Sequence, residues 1–182
     1  MNMTIDLSTT ALLPAEQTAV TAFCKSIQEA LGDALVSITL YGSATREDYQ
    51  PGISDINVLV VTNYLDLALM KKVLDPVAIS RQYAIAPFFL TEMNLRSSTD
   101  IFPIKFFVMK ESYRVLEGQD VLCDSDIRRE DLRLRCEQET MNLLLRLRRY
   151  YTLHSGRLLT DMMSRMIKSL IDILHVLVRS EA

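Results

Sequence analysis

The stretch from Leu40 to Val61, LYGSATREDYQPGISDINVLVV, holds the residues whose types and spacing are best suited to chemistry. An apolar run ends at Gly42-Ser43. A glycine at such a turn lets backbone N–H groups approach an anion closely, and a serine adds a hydroxyl donor, so the pair is suited to holding a phosphate. Twelve residues past Ser43 comes Asp55, with Asn57 at i+2. On a strand, positions i and i+2 project from one face, so two carboxylates at that spacing would converge on the same cations. Here the second position is an amide, whose oxygen can coordinate a cation but brings no charge. Arg46, three residues past Ser43, is a candidate for reaching a bound phosphate.

These residues need strands and turns to place them. Pro14 can open a helix and Gly32 can close it, and between them Val20, Phe23, Cys24, Ile27 and Leu31 recur at helical spacing. Ala34 to Tyr41 reads as a strand ending at the Gly-Ser pair. Pro51-Gly52 marks a turn, and Ile56 to Val61 reads as a second strand buried on both faces. Leu65 to Ser80 has a helical pattern with Pro76 as a kink or break. Ala84 to Leu90 and Ile101 to Met109 are two further strand candidates, each with a proline near its start, which suits an edge or a strand end.

After Tyr113 to Leu122 the character changes. Ile127 to Tyr151 is rich in Leu and Arg without Pro or Gly, and Arg157 to Ser180 is apolar almost all round. They read as two helices joined at His154 to Gly156. The domain boundary falls near residue 123, with an α/β module over 1–123 and a helical segment over 124–182. The arginines at 128, 129, 133, 135, 146, 148 and 149 are partly balanced by Glu130, Asp131, Glu137 and Glu139, which favours i,i+4 pairing over a polyanion-binding face.

Composition removes several classes. With 182 residues, 49% of them apolar, and a net charge of −3, the chain is globular and lacks the dense basic face of a general nucleic-acid binder. Three cysteines without a CxxC pair support neither a disulfide framework nor a thiolate zinc site, and His154 and His175 have no matching ligand spacing. No basic, then apolar, leader stands at the N-terminus, so the expected location is the cytoplasm. The last apolar stretch is interrupted by Lys168, Asp172, His175 and Arg179, which argues against a membrane span.

The order helix, strand, Gly-Ser, turn, then Ser54-Asp55-Ile56 entering a second strand resembles the polymerase-β-like nucleotidyltransferase superfamily, in particular its small bacterial members and the aminoglycoside adenylyltransferases. The resemblance is strongest over residues 38–61 and continues more weakly through IFPIKFF, YRVLEGQDVL and the Leu/Arg helix. It implies an α+β fold, a mixed sheet flanked by helices, with a C-terminal helical hairpin. It also implies that Gly42 and Ser43 sit at a helix N-terminus and hold a nucleotide triphosphate, and that Asp55 is the first of three acids. Such acids bind Mg²⁺ ions that clamp an in-line phosphoryl transfer. The second acid position is Asn57. The later strand that should supply the third is best matched by FPIKFFVM, which offers Lys105, Phe107 and Val108.

The acidic motif is therefore degenerate. If Lys105 projects into the same pocket, its ammonium takes the place of a metal and pairs with Asp55. A metal-free pocket would then bind a nucleotide or phosphate through Gly42, Ser43, Arg46 and Lys105, or remain as a structural remnant; a solvated edge-strand lysine is the plainer alternative. The enzyme-class alternative is an active Mg²⁺-dependent nucleotidyltransferase that passes a nucleoside monophosphate to a small-molecule or protein acceptor. It would tolerate Asn57 as a weak metal ligand beside Asp55 and recruit Glu92, Asp100 or Glu111. A third expectation is an interaction protein of a toxin-antitoxin-like pair. The last helix carries more apolar surface than one neighbour can cover, which points to a homodimer or domain contact, or to further chain.

Overall fold

The computed structural model describes residues 5–153 and 157–181, so the connector at His154 to Gly156 lies outside the described residues. The chain divides into two compact units, one of Met1–Ser97 with Met109–Ser125 and the other of Ser98–Val108 with Asp126–Ala182.

In the first unit, helix α1 (Pro14–Leu31) begins with proline at its first turn, where the missing N–H is no loss. The Glu16 carboxylate accepts from the Leu13 N–H at 2.8 Å and occupies the positive end of the helix dipole. Val20, Phe23, Cys24, Ile27 and Leu31 form its buried stripe, as their spacing predicts. Gly32, at φ +52°, turns the chain out of the helix.

Four strands follow: β1 (Leu35–Tyr41), β2 (Ile56–Thr62), β3 (Ile85–Thr91) and β4 (Tyr113–Gly118). The sheet order is β3-β2-β1-β4; β1 is antiparallel to β2 and β4, whereas β2 and β3 run parallel. One face of the central strands carries Ile38, Leu40, Ile56, Val58 and Val60 into a core shared with the α1 stripe. On the alternate positions Ser37, Thr39, Leu59 and Val61 are equally solvent-free. Both central strands are thus buried on both faces, and each fully buried Leu, Ile or Val stabilises by about 1.5–3 kcal/mol. Pro87 lies on β3, an edge strand, where a missing ladder donor costs least. Gly118 ends β4 at φ +75°, and a Cβ there would collide with the Val36 carbonyl.

Two elements differ from the sequence expectation. The Leu65 to Ser80 pattern splits into α2 (Leu67–Lys72) and α3 (Leu74–Ser80), with the break at Val73 rather than at Pro76. Pro76 lies in the first turn of α3, where its lack of an N–H is tolerated. After α4 (Glu92–Ser97), the run expected to be a strand, Ile101 to Met109, is helix α5 (Pro103–Glu111). Pro103 serves as a helix start, and Ile104, Phe107 and Val108, spaced i, i+3, i+4, bury one helical face.

The second unit contains the front of α5 with α6 (Arg129–Leu153) and α7 (Arg157–Glu181). Its core is Leu132, Cys136, Ile173 and Val176, joined by Ile104, Phe107, Val108, Leu143 and Leu177. On α6, Arg133 pairs with Glu137 at 3.0 Å and Arg135 with Glu139 at 2.6 Å, the i,i+4 arrangement expected for these charges. Such exposed pairs contribute a few tenths of a kcal/mol each. Among the described residues no helix is long and apolar enough to cross a membrane.

Candidate functional site

Gly42 leaves β1 at φ +80°, a conformation that favours glycine. Its N–H donates to the Ser112 carbonyl at 3.0 Å, which ties the turn to the residue before β4. Thr45 Oγ1 donates to the Gly42 carbonyl at 2.7 Å, and with its proton so used it accepts from Ser112 Oγ, also at 2.7 Å. Gly42–Thr45 is a single 3₁₀ turn, and the chain is extended again at Arg46. The Gly-Ser pair therefore does not open an α-helix, as the resemblance implied. The Thr45 side chain takes up the Gly42 carbonyl, and four residues align too few peptide dipoles to make a strong positive end.

Arg46 is half-buried, and its guanidinium forks onto Asp48 with Nε at 3.0 Å and Nη2 at 2.9 Å from the two carboxylate oxygens. Those bonds, with further help from the nearby Glu111 charge, hold Arg46 above the usual arginine range. The Tyr49 hydroxyl donates to Glu16 of α1 at 2.9 Å, and burial together with that carboxylate pushes the phenol up to about 12.

Asp55 stands just before β2, exposed, after a turn closed by Ser54 N–H to the Gln50 carbonyl at 2.9 Å. Asn57 is half-buried, and its amide Nδ2 reaches the Asp55 carbonyl at 3.5 Å. Register places Asn57 opposite Tyr41 of β1 on one side and opposite Ala86 of β3 on the other, and Tyr41 in turn opposite Tyr113 of β4. Cross-strand partners project from one face with Cβ atoms about 5 Å apart. The row beside Asp55 is therefore Ala86, Asn57, Tyr41, Tyr113, and none is a carboxylate. Burial holds the Tyr41 phenol up at about 12, and the Tyr113 hydroxyl donates to Asp120 at 3.0 Å.

The expected source of the third group changes accordingly. FPIKFFVM is α5, so the premise that Lys105 projects from a neighbouring strand falls. Lys105 lies on a helix, in the second unit, with its ammonium held below the usual lysine range by desolvation. The strand that borders β2 on its open side is β3, and Ala86 is the residue there. Of the three acids proposed for recruitment, Glu92 begins α4, beyond the far end of β3. The seven-residue length of β3, roughly 23 Å, separates it from the end of the strand that lies beside Asp55. Asp100 belongs to the second unit. Glu111 immediately precedes Ser112, whose carbonyl receives the Gly42 N–H, so it is the acid brought to the Gly-Ser turn. Sequence reasoning missed Thr45 and Ser112, whose contact spans 67 positions, and Ala86, whose place depends on parallel register.

Along this row the groups are the Asp55 carboxylate, the Asn57 amide and the Ala86 methyl, with Glu111 reaching the turn from the segment before β4. Among the described residues no three His, Cys, Asp or Glu side chains are grouped to hold a metal. No family model matches the chain, and no curated protein matches it. Among solved structures, spectinomycin adenyltransferase AAD(9) from Enterococcus faecialis, crystallised with ATP and spectinomycin, is similar to it with a TM-score of 0.57 at 14% identity, over 74% of this chain and 68% of that one. With the mixed sheet and its flanking helices, that likeness shows a nucleotidyltransferase-like fold.

Proposed function

We propose that this chain is a nucleotidyltransferase-fold protein that binds a nucleotide or phosphate group at the Gly42-Ser43 turn but is impaired in nucleotidyl transfer. The observation that carries the reading is the row beside Asp55, in which Asn57 and Ala86 occupy the two positions best placed to add charge. A single carboxylate with substrate oxygens can hold one Mg²⁺ weakly, whereas a clamp on both the attacking and the leaving oxygen needs more ligand charge. The nucleotide class is supported by the fold's likeness to an enzyme crystallised with ATP. Gly42, Ser43 and Arg46 are the groups assigned to the ligand, with Arg46 exchanging Asp48 for a phosphate. Lys105 has no assigned role in the first unit.

The test is titration calorimetry with ATP, with and without Mg²⁺, alongside an assay for release of pyrophosphate. ATP should bind in the micromolar to millimolar range with no turnover above background. Metal-dependent turnover abolished by Asp55→Ala would sink the reading. One observation favours the active alternative, namely the position of Glu111 beside the turn. Turnover lost in Glu111→Gln as well as in Asp55→Ala would establish that enzyme.

A further inference from the structure

Helix α7 presents three faces. Met166, Ile173 and Val176 are buried, the latter two in the core with Leu132 and Cys136 of α6. Asp161, Arg165, Asp172 and Arg179 recur so that, at about 100° per residue, they fall on one strip roughly 40° wide. The third face carries Met163, Ile167, Leu170, Ile171, Leu174 and Val178, all between 39% and 69% exposed and without a charge among them. Beside it a groove of about 300 Å³ runs between the two helices, walled by Leu143, Leu144 and Leu147 of α6. Its one polar side chain, Thr140, donates its hydroxyl to the Cys136 carbonyl at 2.8 Å. One helix neighbour has satisfied α7 on one side, and the second side is built for another.

The spacing of the open strip identifies the occupant. It is symmetric about the point between Leu170 and Ile171: laid antiparallel on a copy of itself, Met163 faces Val178, Ile167 faces Leu174, and Leu170 faces Ile171. A strip without charge pairs with itself without like-charge repulsion, and a self-complementary patch is the requirement of an isologous twofold interface. Those six side chains expose on the order of 600 Å² per copy, near the roughly 800 Å² per partner of a standard stable interface. We propose that this face joins two copies of the chain, α7 against α7, closing two hairpins into a four-helix bundle. The proposal does not rest on the nucleotide-binding reading.

Light scattering on the eluting full chain should give twice the chain mass at micromolar concentration. Ile167→Glu with Leu174→Glu, which would face carboxylates across the contact, should weaken dimerisation at least about tenfold. Arg165→Glu, on the charged strip, should leave the dimer unchanged. In a Cys123→Ser background, which removes the exposed native thiol, Leu170→Cys should cross-link to itself through a short bis-maleimide. Should the double glutamate variant lose its helical circular dichroism, the Leu170→Cys cross-link decides alone. A monomeric wild type, a dimer in which Leu170→Cys fails to cross-link, or association only with a different protein would each overturn the proposal.

Discussion

The turn at the end of β1 and the open strip on α7 stand in opposite states of satisfaction. At the turn, polar groups of the proposed ligand site already have partners from their own surroundings: Thr45 with Ser112, Arg46 with Asp48, Gly42 N–H with the Ser112 carbonyl. On α7 six large apolar side chains remain in water although their helix is already packed along its other side. The difference follows from the forces. A hydrogen-bonding group of the first unit can be satisfied within a few ångströms by a single neighbour, and its net worth is then about 1 kcal/mol. An apolar strip about 22 Å long needs a surface of matching length, which two helices cannot offer each other on both sides. The proposed ligand site at the turn would thus depend on exchanging partners, and the proposed contact at α7 on acquiring one.

The largest expected effect separates buried from open apolar positions. Ile27→Ala, in the solvent-free stripe of α1, should lower the stability of the first unit by about 2–5 kcal/mol, the cost of lost burial and a residual cavity. Leu134→Ala, 55% exposed on α6 and off the proposed contact, should change stability by no more than about 0.5 kcal/mol. Urea unfolding followed by circular dichroism measures both. Comparable losses would mean that the exposed apolar residues of the second unit already have partners in the single chain.

A second experiment asks whether the turn lacks only charge. Asn57→Asp combined with Ala86→Glu places two more carboxylates on the row beside Asp55, at positions paired across β2 and β3. Mn²⁺ affinity, read by electron paramagnetic resonance, should rise by about 100-fold, because divalent-cation affinity grows steeply with ligand charge. Either single change should give less than half of that in logarithmic terms. If the double variant binds no better than the wild type, Ala86 is not the position from which the missing acid would act.

How much of this was legible in the chain differs between elements for physical reasons. The α1 stripe and the strand, Gly-Ser, strand order could be read because each rests on a local period or a turn residue. Ile101 to Met109 misled because a short apolar run satisfies a strand and a helix alike, and Pro103 suits the start of either; its burial against α6 and α7 settles it as a helix. At the site, Asp55 and Asn57 were plain from i+2 spacing. Ala86 was not, since an alanine announces nothing and its position depends on the parallel pairing of β3 with β2. The Thr45–Ser112 bond joins residues 67 apart, with no periodic signal to link them.

The smallest effect concerns alkaline pH, where the two units should part company. In the first unit burial pushes the Tyr41 phenol and the Cys24 thiol up to about 12, the latter aided by the Glu117 charge, and Tyr49 reaches about 12 beside Glu16. In each case the folded state disfavours the ionised form, so the folded pKa lies above the unfolded one. The stabilisation is fully present below the unfolded values, about 8.5 for Cys and 10 for Tyr, and is lost as pH climbs through the folded values. In the second unit burial also raises the Cys136 thiol, but the ion pairs of α6 use arginines, which stay protonated over that range. The first unit should therefore lose its structure between pH about 10 and about 12 while α6 and α7 keep their helical dichroism. Tyr41→Phe, which removes one ionisation at little cost in buried surface, should move that midpoint upward by a few tenths of a pH unit, as read by circular dichroism along a pH titration. Were both units to unfold together, or Tyr41→Phe to leave the midpoint in place, the alkaline limit would lie in groups common to both and not in the buried phenol beside Asn57.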